Sequence, residues 1–425
     1  MKSAPGAGLD QVKRIVPADL AHLIQSDATV FLEQGACEPL ALKAALTDQL
    51  ERDIRLVAAP VTGLNDCSFG YRNADRLHPT VFVSTPQLAD AIRQGSVSYV
   101  PLHWSDVARS FRERFTPDVA LLQVSPPDED GFCNLGANAA FELEVALMAK
   151  TIVVEVNRNV PRVYGDTALH QSRIHYWLET SDPLRAMPAS GWGEVEGAIA
   201  RHVDALIPDA CTLQIGPGRV PDAVIERLMQ SGKQVEIHSG ILTDSILRLV
   251  QAQQGAWRER EVVAGMLLGT PALYQAVDNH PRLRLRKTDF THSQVVLGEF
   301  NAFMSVNSAV EVDLLGQVNA ENADGRQISG VGGQVDFFRG ARASANGASI
   351  IALPAATRMG SRIVAAVRAG VPVSTSRVDV DYIVTEYGSA AMRNRTEGER
   401  AEALIAIAHP SHRNELRRSL SRLDH

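Results

Sequence analysis

Short runs of β-branched and other apolar residues recur along the chain without polar interruption: ATVFLE, DIRLVAA, TVFVS, VSYVP, VALLQVS and TIVVEVN in the first half, then CTLQIG, QVEIHS, SIIALP and YIVT in the second. A strand with one wet face alternates apolar and polar residues, whereas a continuous apolar run needs cover on both faces. Helical patterns separate the runs. The expected class is therefore α/β with largely parallel sheets. At 425 residues the chain is too long for one core, and two domains are expected. The proline- and glycine-rich stretch from Leu178 to Ala210 reads as the joint, giving domains 1–190 and 191–425.

Charge narrows the partners. The formal net charge is -7, which gives no general attraction for nucleic acid or an anionic membrane. The basic clusters RLRLRK (Arg282 to Lys287) and RNELRRSLSR read as solvated faces. Four cysteines, Cys37, Cys67, Cys133 and Cys211, contain no C-x-x-C pair, so neither a disulfide framework nor a thiolate zinc site is expected, and a reducing cytoplasm fits. The first twenty residues lack a continuous apolar core and no spanning segment follows, so secretion and membrane insertion are not expected.

The two halves echo each other. VFLEQGACEPLALKAAL and LQIGPGRVPDAVIERL each read as a strand, a glycine-bearing loop, a proline at the first helical position and a helix. In the second copy, the backbone N–H groups of Gly216-Pro217-Gly218-Arg219-Val220 face the carboxyl edge of a strand, a place for phosphate, although a tight connection would look the same. ISGVGGQVDFFRGA (Ile328 to Ala341) packs Gly330, Gly332 and Gly333 together. Glycines this dense let N–H groups approach an oxyanion; Asp336 and Arg339 beyond them fit a surface ion pair. VNSAVEVDLLGQVNAE (Val306 to Glu321) reads as a hairpin, and SPPDEDGFCNLG (Ser125 to Gly136) as a turn.

Together these segments resemble the acetyl-CoA hydrolase/transferase group of family I coenzyme A transferases, which includes the 4-hydroxybutyrate CoA-transferases. The resemblance spans nearly the whole chain, in YVPLHWSD, SPPDEDGFCNLG, VVEVNRNVPRVYGD, IGPGRVPDAV, VNSAVEVDLLGQVNAE, GVGGQVDFFRGA, VDYIVTEYG and ERAEALIAIAHPSHR. It implies two similar α/β halves facing a shared cleft, no metal, no permanent cofactor, and coenzyme A as co-substrate. Acyl-CoA and a small carboxylate would be the partners, with assembly into a homodimer or larger homo-oligomer. The implied reaction is ping-pong transfer through a glutamyl-CoA thioester. Gly216, Pro217, Gly218, Arg219 and Val220 would cradle CoA, Gly332 and Gly333 would donate to the thioester oxygen, and Asn307, Ser329 and Arg358 would add CoA or acceptor contacts.

One part of that pattern is missing. The resemblance places the attacking glutamate directly after a His-Thr or His-Ser pair, and here His238-Ser239 is followed by Gly240. Ser239 would give an ester and no CoA transfer. Three readings stay open: an acyl-CoA hydrolase, a silent CoA-binding paralogue, or a carboxylate supplied from elsewhere. Glu38, before Pro39 in the first-half echo, is the expected attacker, with Gly35 beside it and Gln34 donating; the alternative role for Glu38 is a helix cap. Asp244 is the second choice. Glu33, Glu311 and Asp313 read as loop-orienting acids, and His238 as structural. A dicarboxylate acceptor would call for an arginine such as Arg219, Arg339 or Arg358.

Overall fold

The computed structural model describes residues 9, 11–49, 51–188 and 191–423. The chain forms two compact units. The first holds Met1–Pro188, Val263–Thr288 and Arg326–Gly330; the second holds Ala189–Val262, Asp289–Gly325 and Val331–His425. The expected division at residue 190, itself outside the described residues, misses the two returns to the first unit. Leu267, Leu273, Val277 and Leu285 in the first return are fully or nearly fully buried. An apolar pattern states that a residue is covered, not by which core.

In the first unit, eight strands form one sheet, every neighbouring pair parallel. They are β1 (Lys13–Arg14), β2 (Thr29–Leu32), β3 (Arg55–Ala58), β4 (Thr80–Val81), β5 (Ser98–Tyr99), β6 (Val119–Val124), β7 (Thr151–Asn157) and β8 (Tyr176–Thr180), in the order β1-β8-β7-β6-β2-β3-β4-β5. Alternate residues of one strand feed opposite cores. Ala120, Leu122 and Val124 pack with Phe31, Phe82 and Phe111, while Val119 and Leu121 pack with Val30, Leu32 and Leu56. Both cores are apolar, which is why the runs do not alternate; each fully buried side chain of this size contributes about 1.5–3 kcal/mol. Helix α1 (Leu40–Gln49) follows β2, and α2 (Glu142–Met148) lies between β6 and β7. The four cysteines are buried and unpaired.

The second unit repeats the principle. Six consecutive strands of its main sheet run β16-β15-β14-β11-β9-β10, built from β9 (Cys211–Ile215), β10 (Val235–His238), β11 (Phe303–Asn307), β14 (Ala348–Ala352), β15 (Tyr382–Thr385) and β16 (Gly388–Ala391). Neighbours among them are parallel except for the antiparallel β15 and β16. Helix α3 (Glu194–Leu206) precedes β9, α4 (Arg219–Ser231) links β9 to β10, α5 (Asp244–Ala252) follows β10, and α6 (Gln334–Ala343) precedes β14. The predicted hairpin is shorter than the sequence suggested: β12 (Glu311–Asp313) pairs with β13 (Val318–Asn319), while Val306 and Asn307 belong to β11 in the main sheet. Pro221 is the third residue of α4 rather than the first.

Candidate functional site

In the second unit, β9 ends at Ile215 and the chain turns through Gly216, Pro217 and Gly218 into α4. Gly218 has φ +131°, a region closed to residues with a Cβ, and no side chain caps the helix. The first turn starts with Asp222 N donating to Gly218 O at 2.9 Å, so Arg219 and Val220 have no carbonyl one turn back to receive their N–H groups. The result is an open, positive helix end beside the carboxyl edge of a parallel sheet, a geometry that accepts phosphate. The Arg219 guanidinium is committed elsewhere, to Glu196 on α3 at 3.1 Å.

Beside that turn, Gln214 on β9 and Ser305 on β11 sit in register. Gln214 Oε1 accepts from Ser305 Oγ at 2.5 Å and from Asn307 Nδ2 at 2.9 Å. Asn307 Oδ1 lies 3.8 Å from the point where a Cβ on Gly216 would stand. Asn307 is thus fixed against the glycine turn by the main sheet, not by a hairpin.

At the end of β10, His238 Nε2 meets Thr291 O at 3.1 Å and its ring packs on Phe290, Phe300 and Phe303, a structural role. Ser239 Oγ donates to Ile215 O at 3.1 Å. Gly240 therefore presents bare backbone, with His292 3.3 Å and Phe337 3.4 Å from its absent Cβ. Gly332 has φ +64° and open space on its Cβ side; Gly333 precedes α6 and has His292 Nε2 only 2.4 Å from its absent Cβ. The first glycine is required by backbone conformation, the second by close approach. His292 was missed at the sequence level, because nothing adjacent in the chain marks it.

Two further expected contacts are Ser329 and Arg358. Ser329 belongs to the first unit, where its carbonyl accepts from Gln327 Nε2 at 2.8 Å. Arg358 stands exposed at the tip of a hairpin formed by Ala356–Thr357 and Gly360–Ser361. The half-buried guanidinium nearby in sequence is Arg362, which donates to Val310 O at 2.6 Å. Arg339 pairs with Asp379 at 3.5 Å. Asp244 is the first residue of α5, where Thr243 caps the helix.

Glu38, in the first unit, requires correction. Its side chain has no exposed surface; Oε1 accepts from Lys43 Nζ at 2.5 Å and Gln34 Nε2 at 3.1 Å, and Oε2 from Arg185 Nε at 3.1 Å. In this arrangement both cations must leave before the carboxylate can attack. It is not the helix cap either. Leu42 N in α1 donates to Glu155 Oε1 of β7 at 2.7 Å. Burial raises the Glu155 carboxyl to about 7, with its bonds from Leu42 and Ala41 pulling the other way. Glu33 accepts from Gln123 N at 2.8 Å and Asn138 Nδ2 at 2.9 Å, yet full burial still holds its carboxyl well above the usual carboxylate range.

Family comparison adds to this geometry. The acetyl-CoA hydrolase/transferase N-terminal domain matches residues 10–187, and the C-terminal domain of the same family matches residues 269–420. The chain belongs to the acetyl-CoA hydrolase/transferase family. CoA-transferase relatives 33–37% identical over 93–96% of the chain make it an enzyme of the CoA-transferase type, built from two α/β domains. The 4-hydroxybutyrate coenzyme A transferase of Clostridium kluyveri is 37% identical over 415 residues, covering 95% of this chain and 96% of that one. The succinyl-CoA:cyclohexane-1-carboxylate CoA transferase of Geobacter metallireducens is 34% identical, covering 96% and 95%. Among solved structures, RipA from Yersinia pestis is similar to this family member with a TM-score of 0.91 at 29% identity, covering 98% of this chain and 99% of that one.

Proposed function

We propose that this enzyme moves coenzyme A between a short-chain acyl-CoA and a small carboxylate, taking CoA as a co-substrate. The observation that carries the reading is the uncapped start of α4 at Gly218, placed beside the Gln214, Ser305 and Asn307 ladder at the carboxyl edge of the sheet. A pyrophosphate or phosphate suits the helix end, and the amides of Gly332 and Gly333 suit the thioester oxygen. One such donor is typically worth about 3 kcal/mol of barrier.

In this reading the acceptor acid supplies the attacking carboxylate. Gly240 has no side chain, the Ser239 hydroxyl is tied to Ile215 O, and Glu38 is held by two cations. An acceptor oxygen attacks the thioester carbon, the C–S bond breaks, and CoA leaves as thiolate, giving a mixed anhydride. The thiolate then attacks the acceptor's carbonyl, and the donor acid leaves as carboxylate. Excluding water keeps the anhydride for the thiolate. A glutamyl thioester on Glu38 is the competing route, and it needs Lys43 and Arg185 to release the side chain.

Initial rates across a panel of carboxylate acceptors, with intact-mass measurement, test the proposal. Intersecting kinetic patterns and no enzyme-bound CoA support direct transfer. Parallel patterns with a borohydride-sensitive adduct on the Glu38 peptide establish the glutamyl route. CoA release at an undiminished rate without acceptor establishes a hydrolase, and tight CoA binding with no turnover establishes a silent paralogue.

A further inference from the structure

A buried imidazole usually spends both nitrogens on fixed partners, but His292 spends one. The residue is 4% exposed. Its Nδ1 lies 2.8 Å from Thr291 Oγ1, and among the described residues Nε2 has no hydrogen-bond partner. Phe337 covers part of the ring, with centroids 4.3 Å apart. The two positions whose side chains would seal Nε2 are both glycine. A Cβ on Gly333 would stand 2.4 Å from Nε2, and one on Gly240 would stand 3.3 Å away. Gly240 and Gly333 are also the backbone positions that the sequence pattern and the open loop assign to the reacting thioester, so the imidazole lies directly beneath them.

Electrostatics restricts what such a ring can do. Burial, reinforced by His238, pulls its pKa down to about 3. A group that holds a proton so weakly is a poor general base near neutral pH, where base strength matched to the medium is needed. A neutral imidazole can still donate from whichever nitrogen carries its proton, and neutral imidazoles acting as electrophiles are a known solution to carbonyl polarisation.

We propose that His292 is a catalytic residue of the transfer reaction: with Thr291 Oγ1 donating to Nδ1, its Nε2–H hydrogen-bonds the thioester carbonyl oxygen and stabilises the oxyanion formed on attack. The C–O bond forms as the carbonyl π pair moves onto oxygen, and the pair returns as the C–S bond breaks and thiolate departs. The proton stays on Nε2 throughout. The proposal rests on the CoA-transferase reading for its substrate, but its central contact is measurable without turnover.

The experiment uses the whole enzyme with acyl-CoA labelled with carbon-13 at the thioester carbonyl. Difference infrared spectra should show the carbonyl stretch shifted to lower frequency on wild type, unshifted on His292→Phe and partly shifted on His292→Gln, whose amide keeps a neutral donor. In turnover, His292→Phe should lose about 10²-fold in kcat with KM little changed, and His292→Gln should recover most of the loss. Nitrogen-15 spectra of histidine-labelled wild type should show the Nε2–H tautomer and a shift of Nε2 when acyl-CoA binds. A folded His292→Phe that keeps both rate and carbonyl shift overturns the proposal, as does an Nδ1–H tautomer in wild type. The nitrogen-15 result decides the matter if His292→Phe does not fold. A carbonyl shift without transfer to any acceptor would sink the transferase reading and leave the His292 contact standing.

Discussion

Lys43 Nζ lies 2.5 Å from Glu38 Oε1 across a pocket in which the carboxylate has no exposed surface and the lysine side chain 7%. Arg185 completes the cage from a position 147 residues away in sequence. A carboxylate held this way is a structural counter-ion first. Lys43→Met leaves Arg185 as the cation on the buried carboxylate, so it should cost less unfolding free energy than the about 3–5 kcal/mol of a wholly uncompensated buried charge. Adding Glu38→Gln to Lys43→Met should restore most of that loss. Urea denaturation of the single and double variants reads the difference, and an additive double variant would show that Glu38 is not the buried partner of Lys43.

The two adjacent glycines predict different costs. Gly333→Ala places a methyl 2.4 Å from His292 Nε2, so overpacking should cost about 1–3 kcal/mol and displace the ring. Gly332→Ala meets open space, and its cost should be the left-handed backbone alone, about 1–2 kcal/mol. If the methyl at 333 expels the imidazole, only the Gly333 variant should change the His292 resonance in solution.

Gly240→Glu tests where the reacting carbon lies. A Cβ there would touch His292 and Phe337 at 3.3–3.4 Å, so small shifts should accommodate it at about 1 kcal/mol. With a carboxylate at that position, the kinetics should change to the parallel-line pattern, and CoA should become attached to the peptide spanning residues 235–242. An unmodified peptide from an otherwise folded, CoA-binding variant would place the thioester elsewhere.

The first unit also carries a pH dependence of calculable sign. Burial raises the Glu142 carboxyl to about 7 in the folded chain, against 4.5 as its ordinary value. The native state therefore holds a proton that the unfolded chain releases between those values. The contribution is fully present below about 4.5 and is lost as pH rises through about 7, with a magnitude of a few kcal/mol. Glu142→Gln mimics the protonated form and should lack this dependence. The wild type should thus lose stability relative to Glu142→Gln between pH 5 and pH 8, read from urea midpoints; a constant difference would mean Glu142 is ionised when folded.

Much of the architecture was legible because its causes are local. The run VALLQV needed cover on both faces, and its alternate residues do enter two separate apolar cores. The glycine turn before α4 was readable for the same reason, since the turn and the helix start it permits are set by consecutive residues from Gly216 to Val220. The two returns of the chain to the first unit were not readable, because an apolar residue carries no address for the core that receives it.

The site divides the same way. By itself the sequence determined the α/β class, the strand-to-helix glycine turn, the clustered glycines and the bare position at Gly240, all properties of neighbouring residues. Only tertiary structure decided that Glu38 is locked between Lys43 and Arg185, and that His292 lies under Gly240 and Gly333. The charge state of a carboxylate or an imidazole is set by desolvation and by whichever groups the folded chain brings within a few ångströms, and those groups come from distant segments.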